Sequence, residues 1–261
     1  MRDAIVLGSG RSGTSLLAGL FQKTGYYTGD NLWGPTASNP LGYFEDVQVN
    51  AINEDLLDKV APWRPRGLAG ALWPMHRART RYSQRWLLEL PAGTAIPRDH
   101  ELDQRMSVVT SRRPFLLKDP RFSYTLSCWY PHLTGNTVFI CMFREPERTV
   151  NSIRKIVRAE RYLRDLTVSA DSACAYWTAV YQSIFHQRAQ LGGEWLFVHY
   201  DEILNDRALP ILERVLGANA DRSMLRPELK RSEPTGSASH AAGEVYKKLL
   251  EFSLLKYLAL R

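Results

Sequence analysis

The stretch Val6–Leu17 reads VLGSGRSGTSLL and is the most informative part of the sequence for predicting the fold. Apolar residues come first, glycines and polar residues alternate after them, and leucines resume at its end. This order predicts a buried strand, a tight turn and the first turn of a helix. Gly8, Gly13 and Ser15 match the phosphate-loop pattern G-x-x-x-x-G-K-[ST], in which backbone N–H groups and a helix N-terminus hold phosphate oxygens.

The lysine of that pattern is missing. Thr14 stands at its position, and Arg11 is the cation inside the loop. In nucleoside triphosphatases the lysine reaches the β- and γ-phosphates. The sequence therefore favours a shorter anion, held by the loop amides, the helix dipole and one arginine. The alternative is a strand–helix turn that binds no ligand.

The composition favours one large domain over residues 1–261, because 261 residues with 44% apolar content suffice for one sizeable core. The net charge of +7 fits an anionic partner, and it equally fits plain solubility. The cysteines are odd in number and far apart, which argues against a disulfide framework or a zinc site and fits a reducing compartment. They are Cys128, Cys141 and Cys174.

We expect neither a membrane span nor a targeting segment. The longest apolar runs, such as Val138–Phe143, are far shorter than the ~20 residues of a membrane-spanning helix. Met1 is followed at once by Arg2 and Asp3 and then by the first strand, which leaves no room for a signal peptide. The expected location is the cytoplasm.

Apolar strands alternate with helical patterns along the chain. The predicted strands are Ala4–Leu7, Pro114–Arg121, Thr137–Pro146 and Glu194–Glu202. The predicted helices are Thr14–Lys23, Glu45–Lys59, Arg77–Leu90, Asp103–Thr110, Arg148–Arg158 and Val168–Leu191. This alternation predicts an α/β domain of three layers, a central parallel sheet flanked by helices as in P-loop NTPases, with an irregular or helical insertion at about 60–112. Such sheets bind ligands at the carboxyl ends of their strands.

A second phosphate-binding pattern follows the third predicted strand. Arg144 ends that strand, Pro146 starts the next helix, and Ser152 follows Arg144 by eight residues. A strand-end arginine and a hydroxyl two turns into a helix can converge on one phosphate, since the planar guanidinium makes bidentate bonds. The alternative is an arginine that caps a helix.

Four segments, in their order along the chain, resemble motifs of the sulfotransferases that use 3′-phosphoadenosine 5′-phosphosulfate (PAPS) as donor. They are GRSGTSLL, LLKDPR, FREPERTVNS and FVHYDEIL, and the resemblance spans roughly residues 4–217. It points to bacterial-type members, related to the carbohydrate and tyrosyl-protein sulfotransferases. It implies PAPS as cofactor, adenosine 3′,5′-bisphosphate as product, and sulfuryl transfer as the activity.

The resemblance also implies which residues bind the cofactor. The residues implied at its 5′ end are Arg11, Ser12, Gly13, Thr14 and Ser15. Arg144 and Ser152 are implied at the 3′-phosphate, joined by Lys230 or Arg231 from a late loop. Tyr200 is implied beside the adenine, the alternative being an ordinary half-buried tyrosine.

Sulfuryl transfer needs a cation at the bridging oxygen and a base for the acceptor hydroxyl. Lys118 is the expected cation, because it follows the apolar FLL at a strand end and the segment KDP resembles the lysine-bearing segment of the family. The alternative is a surface lysine paired with Asp119. Arg11 is a further candidate for stabilising the leaving group. No metal site is predicted.

The expected base is a carboxylate. Pro120 stands where cytosolic small-molecule sulfotransferases carry a histidine, and NPLGYFE resembles the bacterial version of the segment after the first helix. That segment favours Glu45 as the base, with Asp30 as the second candidate. The alternative for Glu45 and Asp46 is a favourable charge at a helix start.

The acceptor side is expected in the insertion, where aromatic residues alternate with basic ones. They are Trp63, Trp73, Tyr82 and Trp86, with Arg64, Arg66, His76, Arg77, Arg79, Arg81 and Arg85. Flat rings stack on sugars or aryl groups, and arginines hold anions; the alternative is a helical cap with solvated arginines. Arg154, Arg158 and Arg161 are spaced to share one face of a helix. Such a face is usually solvated, and the alternative is that these arginines extend the anion site.

The predicted function is transfer of a sulfuryl group to a hydroxyl of a glycan, a glycolipid or a natural product, with a small-molecule acceptor that can be anionic. One alternative is a P-loop nucleotide kinase or NTPase, with Asp201 as a Mg²⁺ ligand. Another is a non-catalytic anion or nucleic-acid binder, and a third is a sulfotransferase that binds cofactor without catalysis. No nucleic-acid-binding motif is recognised, so that partner is not expected.

Overall fold

A computed structural model describes residues 1–61, 80–226 and 238–255. Its centre is a four-stranded, all-parallel sheet in the order β2-β1-β3-β4. The strands are β1 (Ala4–Leu7), β2 (Leu116–Lys118), β3 (Val138–Phe143) and β4 (Glu194–His199). In register, Ile5 lies opposite Leu117 on one side and Phe139 on the other. The predicted α/β class with a central parallel sheet is confirmed.

Helices follow each strand and cover the sheet. In the described chain they are α1 (Thr14–Phe21), α2 (Val47–Asp58), α3 (His100–Ser111), α4 (Phe122–Trp129), α5 (Pro146–Ala159), α6 (Ala170–Leu191), α7 (Tyr200–Leu204), α8 (Leu209–Leu216) and α9 (His240–Glu251). The helix predicted over Arg77–Leu90 is not present in its described part, which holds a 3-10 turn at Arg85–Leu87. Ser83 has a left-handed φ of 72°, which interrupts a helix at this point.

The sheet separates two apolar cores, because successive strand residues point to opposite faces. Ile5 and Leu7 belong to the core that contains residues of α2, α4 and α6. Ala4 and Val6 belong to the other core, with residues of α1 and α8. Both faces of the sheet are therefore buried at its centre, which explains why β1 and β3 are continuous apolar runs.

The described part of the insertion contains α3 and irregular chain. Seven of the proposed acceptor-side residues lie outside the described ranges: Trp63, Arg64, Arg66, Trp73, His76, Arg77 and Arg79. Lys230 and Arg231 lie outside them as well. The prediction of one domain stays a prediction. Within the described ranges, no helix combines the length and the apolarity needed to cross a membrane.

Candidate active site

The turn between β1 and α1 has the backbone of a phosphate loop. Gly8 and Gly13 adopt φ values of 138° and 99°, which favour glycine. A Cβ on Gly8 would lie 2.2 Å from the carbonyl oxygen of Met142 on β3. A Cβ on Gly13 would lie 2.4 Å from Cδ2 of Tyr200. Both glycines are therefore required by close contacts as well as by their backbone conformation.

Helix α6 fixes the loop from behind through two tyrosines. The Gly10 N–H donates to the Tyr176 hydroxyl at 3.1 Å, and the Ser9 N–H lies 3.3 Å from the Tyr181 hydroxyl. The Ser12 hydroxyl donates to the Ser9 carbonyl at 2.6 Å, so this side chain holds the loop rather than the cleft. The ligand-facing donors are consequently the N–H groups at the start of α1, which have no acceptor inside the helix.

Arg11 bridges the two phosphate-binding patterns predicted from the sequence. Its Nε donates to the Ser152 hydroxyl on α5 at 3.1 Å, and its Nη2 donates to the Ser38 carbonyl at 3.2 Å. In the described chain no carboxylate lies within ion-pair distance of Arg11, and both of these hydrogen-bond partners are neutral oxygens. Burial lowers the pKa of the Arg11 guanidinium, and the nearby charge of Arg144 lowers it further.

Arg144 lies at the same edge, immediately after β3. Its guanidinium carbon is 4.7 Å from the ring centroid of Tyr200, the first residue of α7. Burial lowers the pKa of the Arg144 guanidinium. The two side chains line one cleft together with loop and helix residues, including Arg11, Gly13, Thr14, Ser15, Ser38, Ser152 and Arg226. The fold thus brings both predicted phosphate sites into one cavity.

Lys118 ends β2 and is buried beside α1. Its ammonium donates to the Ser15 hydroxyl at 3.2 Å and to the Tyr43 carbonyl at 3.1 Å, and it forms an ion pair with Glu45. The lysine is 3% exposed. The alternative of a surface lysine paired with Asp119 is therefore wrong, because Asp119 pairs with Arg121 at 3.1 Å instead.

The acidic residues predicted after the first helix occupy different places. Glu45 contacts Lys118 and is 8% exposed. Asp46 is the N-cap of α2, accepting from the Gln48 and Val49 N–H groups, as the alternative for that residue predicted. Asp30 is exposed and forms an ion pair with Arg112, so it is not brought together with Lys118.

Asn50, on the first turns of α2, was not singled out from the sequence. Its amide nitrogen donates to Glu45 Oε2 at 3.1 Å and to Asp119 Oδ2 at 2.7 Å, which uses both of its hydrogens. This fixes the orientation of the Glu45 carboxylate, whose other oxygen contacts Lys118. An asparagine in a helix carries no sequence signal for such a role.

Behind Asn50 lies a buried ionic network. Arg121 donates to Glu54 at 2.6 Å and to Asp119 at 3.1 Å, and Arg85 donates to Glu54 at 3.0 Å. Burial lowers the pKa of Arg121, and the carboxylates around it more than offset this, so its pKa is raised. The network connects the segment around Arg85 to the residues that hold Glu45.

Residues 36–43 form a wall of the cleft that the sequence did not identify. The hydroxyl of Thr36 donates to Glu160 Oε1 at 3.0 Å, and that of Ser38 contacts the same oxygen. Glu160 is the C-cap of α5, so the wall is fixed to the helix that carries Ser152. The motif NPLGYFE contains part of this wall, but nothing in residue type marks Glu160.

Among the acceptor-side residues that the structure describes, some stabilise the fold and others lie on the surface. Arg85 is buried in the ionic network, Arg81 pairs with Asp165 at 3.1 Å, and Tyr82 is 53% exposed. Trp86 packs on the phosphate loop, because a Cβ on Gly10 would lie 2.5 Å from its ring. In the same residue ranges, no group of three or more His, Cys, Asp or Glu side chains is placed to hold a metal ion.

Comparison with known proteins gives a family and a set of structural relatives. A model described as the Sulfotransferase family matches residues 3–216. The sulfotransferase domain of the Synechococcus PCC 7002 olefin synthase is 15% identical, with a TM-score of 0.55 over 95% of this chain and 94% of that one. The sulfotransferase domain from the curacin biosynthetic pathway is 12% identical, with a TM-score of 0.52 over 95% and 97%. No curated protein matches the chain.

Proposed function

This chain belongs to the sulfotransferase family, and from that premise we propose that it transfers the sulfuryl group of PAPS to an acceptor hydroxyl. The observation that carries the proposal is Arg11. It is a desolvated guanidinium inside a phosphate loop, it has neutral partners, and its pKa is lowered by burial and by Arg144. Such a group is stabilised by an anion that supplies the missing negative charge.

The residues around the cleft fit a ligand with two anionic ends. The start of α1 with Thr14 and Ser15 would hold the 5′ phosphosulfate, assisted by Arg11. Arg144 and Ser152 would hold the 3′-phosphate, and the ring of Tyr200 would lie against the adenine. When bound, PAPS supplies an activated sulfuryl group on a phosphate leaving group.

The Lys118–Glu45 pair would serve the transfer step. Lys118 would stabilise charge at the bridging oxygen, for which its contact with Ser15 at the start of α1 is suitable. Glu45 would take the proton of the acceptor hydroxyl. The acceptor class we propose is a hydroxyl of a glycan, a glycolipid or a natural product.

A thermal-shift comparison tests the donor. The ligands are adenosine 3′,5′-bisphosphate, ADP and ATP, each with and without Mg²⁺. A ligand at about 100 times its Kd stabilises the protein by about 2.7 kcal/mol, which is an easily measured shift in Tm. We expect stabilisation by the bisphosphate that does not depend on Mg²⁺. Stabilisation by ATP with Mg²⁺, without an effect of the bisphosphate, would favour a kinase and overturn the proposal.

A further inference from the structure

We propose that the acceptor presents a flat ring, an aryl ring or the apolar face of a sugar, and that this ring is seated on Trp86 and Tyr162 beside the phosphate loop. The inference rests on the proposed function and adds to it the substrate class and the residues that select it. Four features of the structure lead to it.

Trp86 packs directly on the phosphate loop. Its six-membered ring lies on Gly10, the residue before Arg11, so closely that a Cβ there would lie 2.5 Å away. Tyr176 meets the indole edge-on, with ring centroids 6.4 Å apart. The indole is partly exposed, so it retains surface for a ligand.

Tyr162 lies in the 3-10 turn Arg161–Leu163 that follows α5, and it is 42% exposed. It follows Glu160 by two residues, and Glu160 contacts the wall at Ser38, whose carbonyl accepts from Arg11. In the described ranges no ring stacks on Tyr162. Its phenol is close enough to Arg11 to affect the pKa of that guanidinium. An aromatic face without a stacking partner at such a position is suited to a ligand ring.

The two aromatic residues are held in position relative to each other. Gln84, which is 3% exposed, donates to the Tyr162 carbonyl at 2.7 Å and to Asp165 at 2.9 Å. Burial raises the pKa of the Tyr162 phenol, and a hydrogen bond with Trp86 lowers it; the pKa is raised overall, so the phenol stays protonated. A fixed aromatic pair selects flat rings at little entropic cost.

The pair is also connected to the candidate catalytic residues. Arg121 donates to the Ser83 carbonyl at 3.4 Å, and its network includes Asp119, which Asn50 joins to Glu45. On the other side, the wall residue Tyr43 accepts from Lys118 through its carbonyl. Besides burial, the charges that raise the pKa of the Tyr162 phenol include Tyr43 and Glu45, so the phenol lies near both. A ring on Trp86 and Tyr162 would therefore lie next to the wall that also contacts Lys118.

The experiment is calorimetric titration of protein saturated with adenosine 3′,5′-bisphosphate. The two probes are 2-naphthol, for an aryl ring, and methyl β-D-glucopyranoside, for a sugar. We expect one of the two probes to bind. Trp86→Leu should weaken the binding of that probe at least tenfold, and Tyr162→Leu should weaken it at least fivefold. Trp86→Phe should retain most of the affinity. The probe that binds identifies the ring type.

A matched control is Tyr130→Leu, an exposed tyrosine (37%) that packs on Phe139 away from the cleft. It should leave the affinity of the probe unchanged. The inference is overturned if neither probe binds the bisphosphate complex, or if a probe binds with equal affinity to the Trp86 and Tyr162 variants. If the unaltered protein does not bind adenosine 3′,5′-bisphosphate at all, the proposed function is overturned, and this inference with it.

Discussion

Lys118 and Glu45 are 73 positions apart in the sequence and form a buried ion pair beside the phosphate loop. The lysine also contacts Ser15 at the start of α1, so one side chain connects the donor side of the cleft to the candidate base. Two residues predicted for separate roles are thereby in direct contact. Their contact leads to the first prediction.

Glu45→Gln should lower turnover by about 10²- to 10⁴-fold, because a neutral amide cannot accept the proton of the acceptor. The affinity for adenosine 3′,5′-bisphosphate should change little, since Glu45 does not line the donor cleft. The measurement is release of the bisphosphate from PAPS in the presence of an acceptor. Asp30→Asn is the matched control; a loss of turnover in that variant with full activity of Glu45→Gln would transfer the role of base to Asp30.

Arg144→Ala should weaken the binding of adenosine 3′,5′-bisphosphate by about 10- to 150-fold, the range expected for losing a hydrogen bond to a charged group. Calorimetric Kd values measure this directly. Arg158→Ala removes the same charge from an exposed position on α5 and should have little effect. Equal affinities of the two variants would contradict the assignment of the 3′-phosphate site to Arg144.

Gly13→Ala tests the close approach of the loop to α7. The added Cβ would lie 2.4 Å from Tyr200 Cδ2, at a residue whose φ is 99°. Both the steric overlap and the backbone strain destabilise the folded state, by about 1–3 kcal/mol for the strain alone. Chemical denaturation should show this loss, and Gly243→Ala, where a Cβ meets open space, is the control. Unchanged stability of Gly13→Ala would show that the loop and Tyr200 are not in contact.

The fold was predictable because its signals are local. A buried parallel strand is a continuous apolar run, and Val138–Phe143 has that form. The spacing of Gly8 and Gly13 reflects backbone conformations that the loop requires. The predicted residues Arg11, Arg144 and Ser152 share a cleft because the carboxyl ends of adjacent parallel strands meet at one edge of the sheet.

The rest of the site depends on contacts between distant residues. Asn50 reaches Asp119 across 69 positions, and Ser38 reaches Glu160 across 122. Neither residue type has a local pattern that indicates its partner. The order of preference between Glu45 and Asp30 came from the resemblance of NPLGYFE to a family segment, because no local pattern indicates that Glu45 pairs with Lys118 and Asp30 with Arg112.

Asn50→Asp should change the pH dependence of turnover. It places a third carboxylate between Glu45 and Asp119, and like charges disfavour ionisation. The acidic limb of the pH–rate profile should therefore move to higher pH by about one unit. Gln48→Glu adds the same charge on the exposed side of α2 and should leave the profile in place. A lower rate with an unshifted profile would mean that Asn50 supports the fold and does not position Glu45.

His199 makes the stability of the protein depend on pH. Its Nδ1 accepts the Asp201 N–H at 3.2 Å as the cap of α7, and this requires an unprotonated nitrogen. The imidazole faces Tyr246 and Glu145, and the charges near it include Asp201, Glu202 and Arg144. Burial lowers the pKa of His199 in the folded state, and the carboxylates offset part of this effect.

The unfolded chain therefore binds a proton at His199 at a higher pH than the folded chain does. The stabilisation is fully present above the ordinary pKa of about 6.5 and is lost as the pH falls through that value towards the lowered pKa, with a slope of at most about 1.4 kcal/mol per pH unit. His199→Asn keeps a capping oxygen without titrating, so its Tm should fall less between pH 7 and pH 5. His240→Asn, at the exposed start of α9, should follow the unaltered protein. Parallel curves of Tm against pH for His199→Asn and the unaltered protein would contradict the prediction.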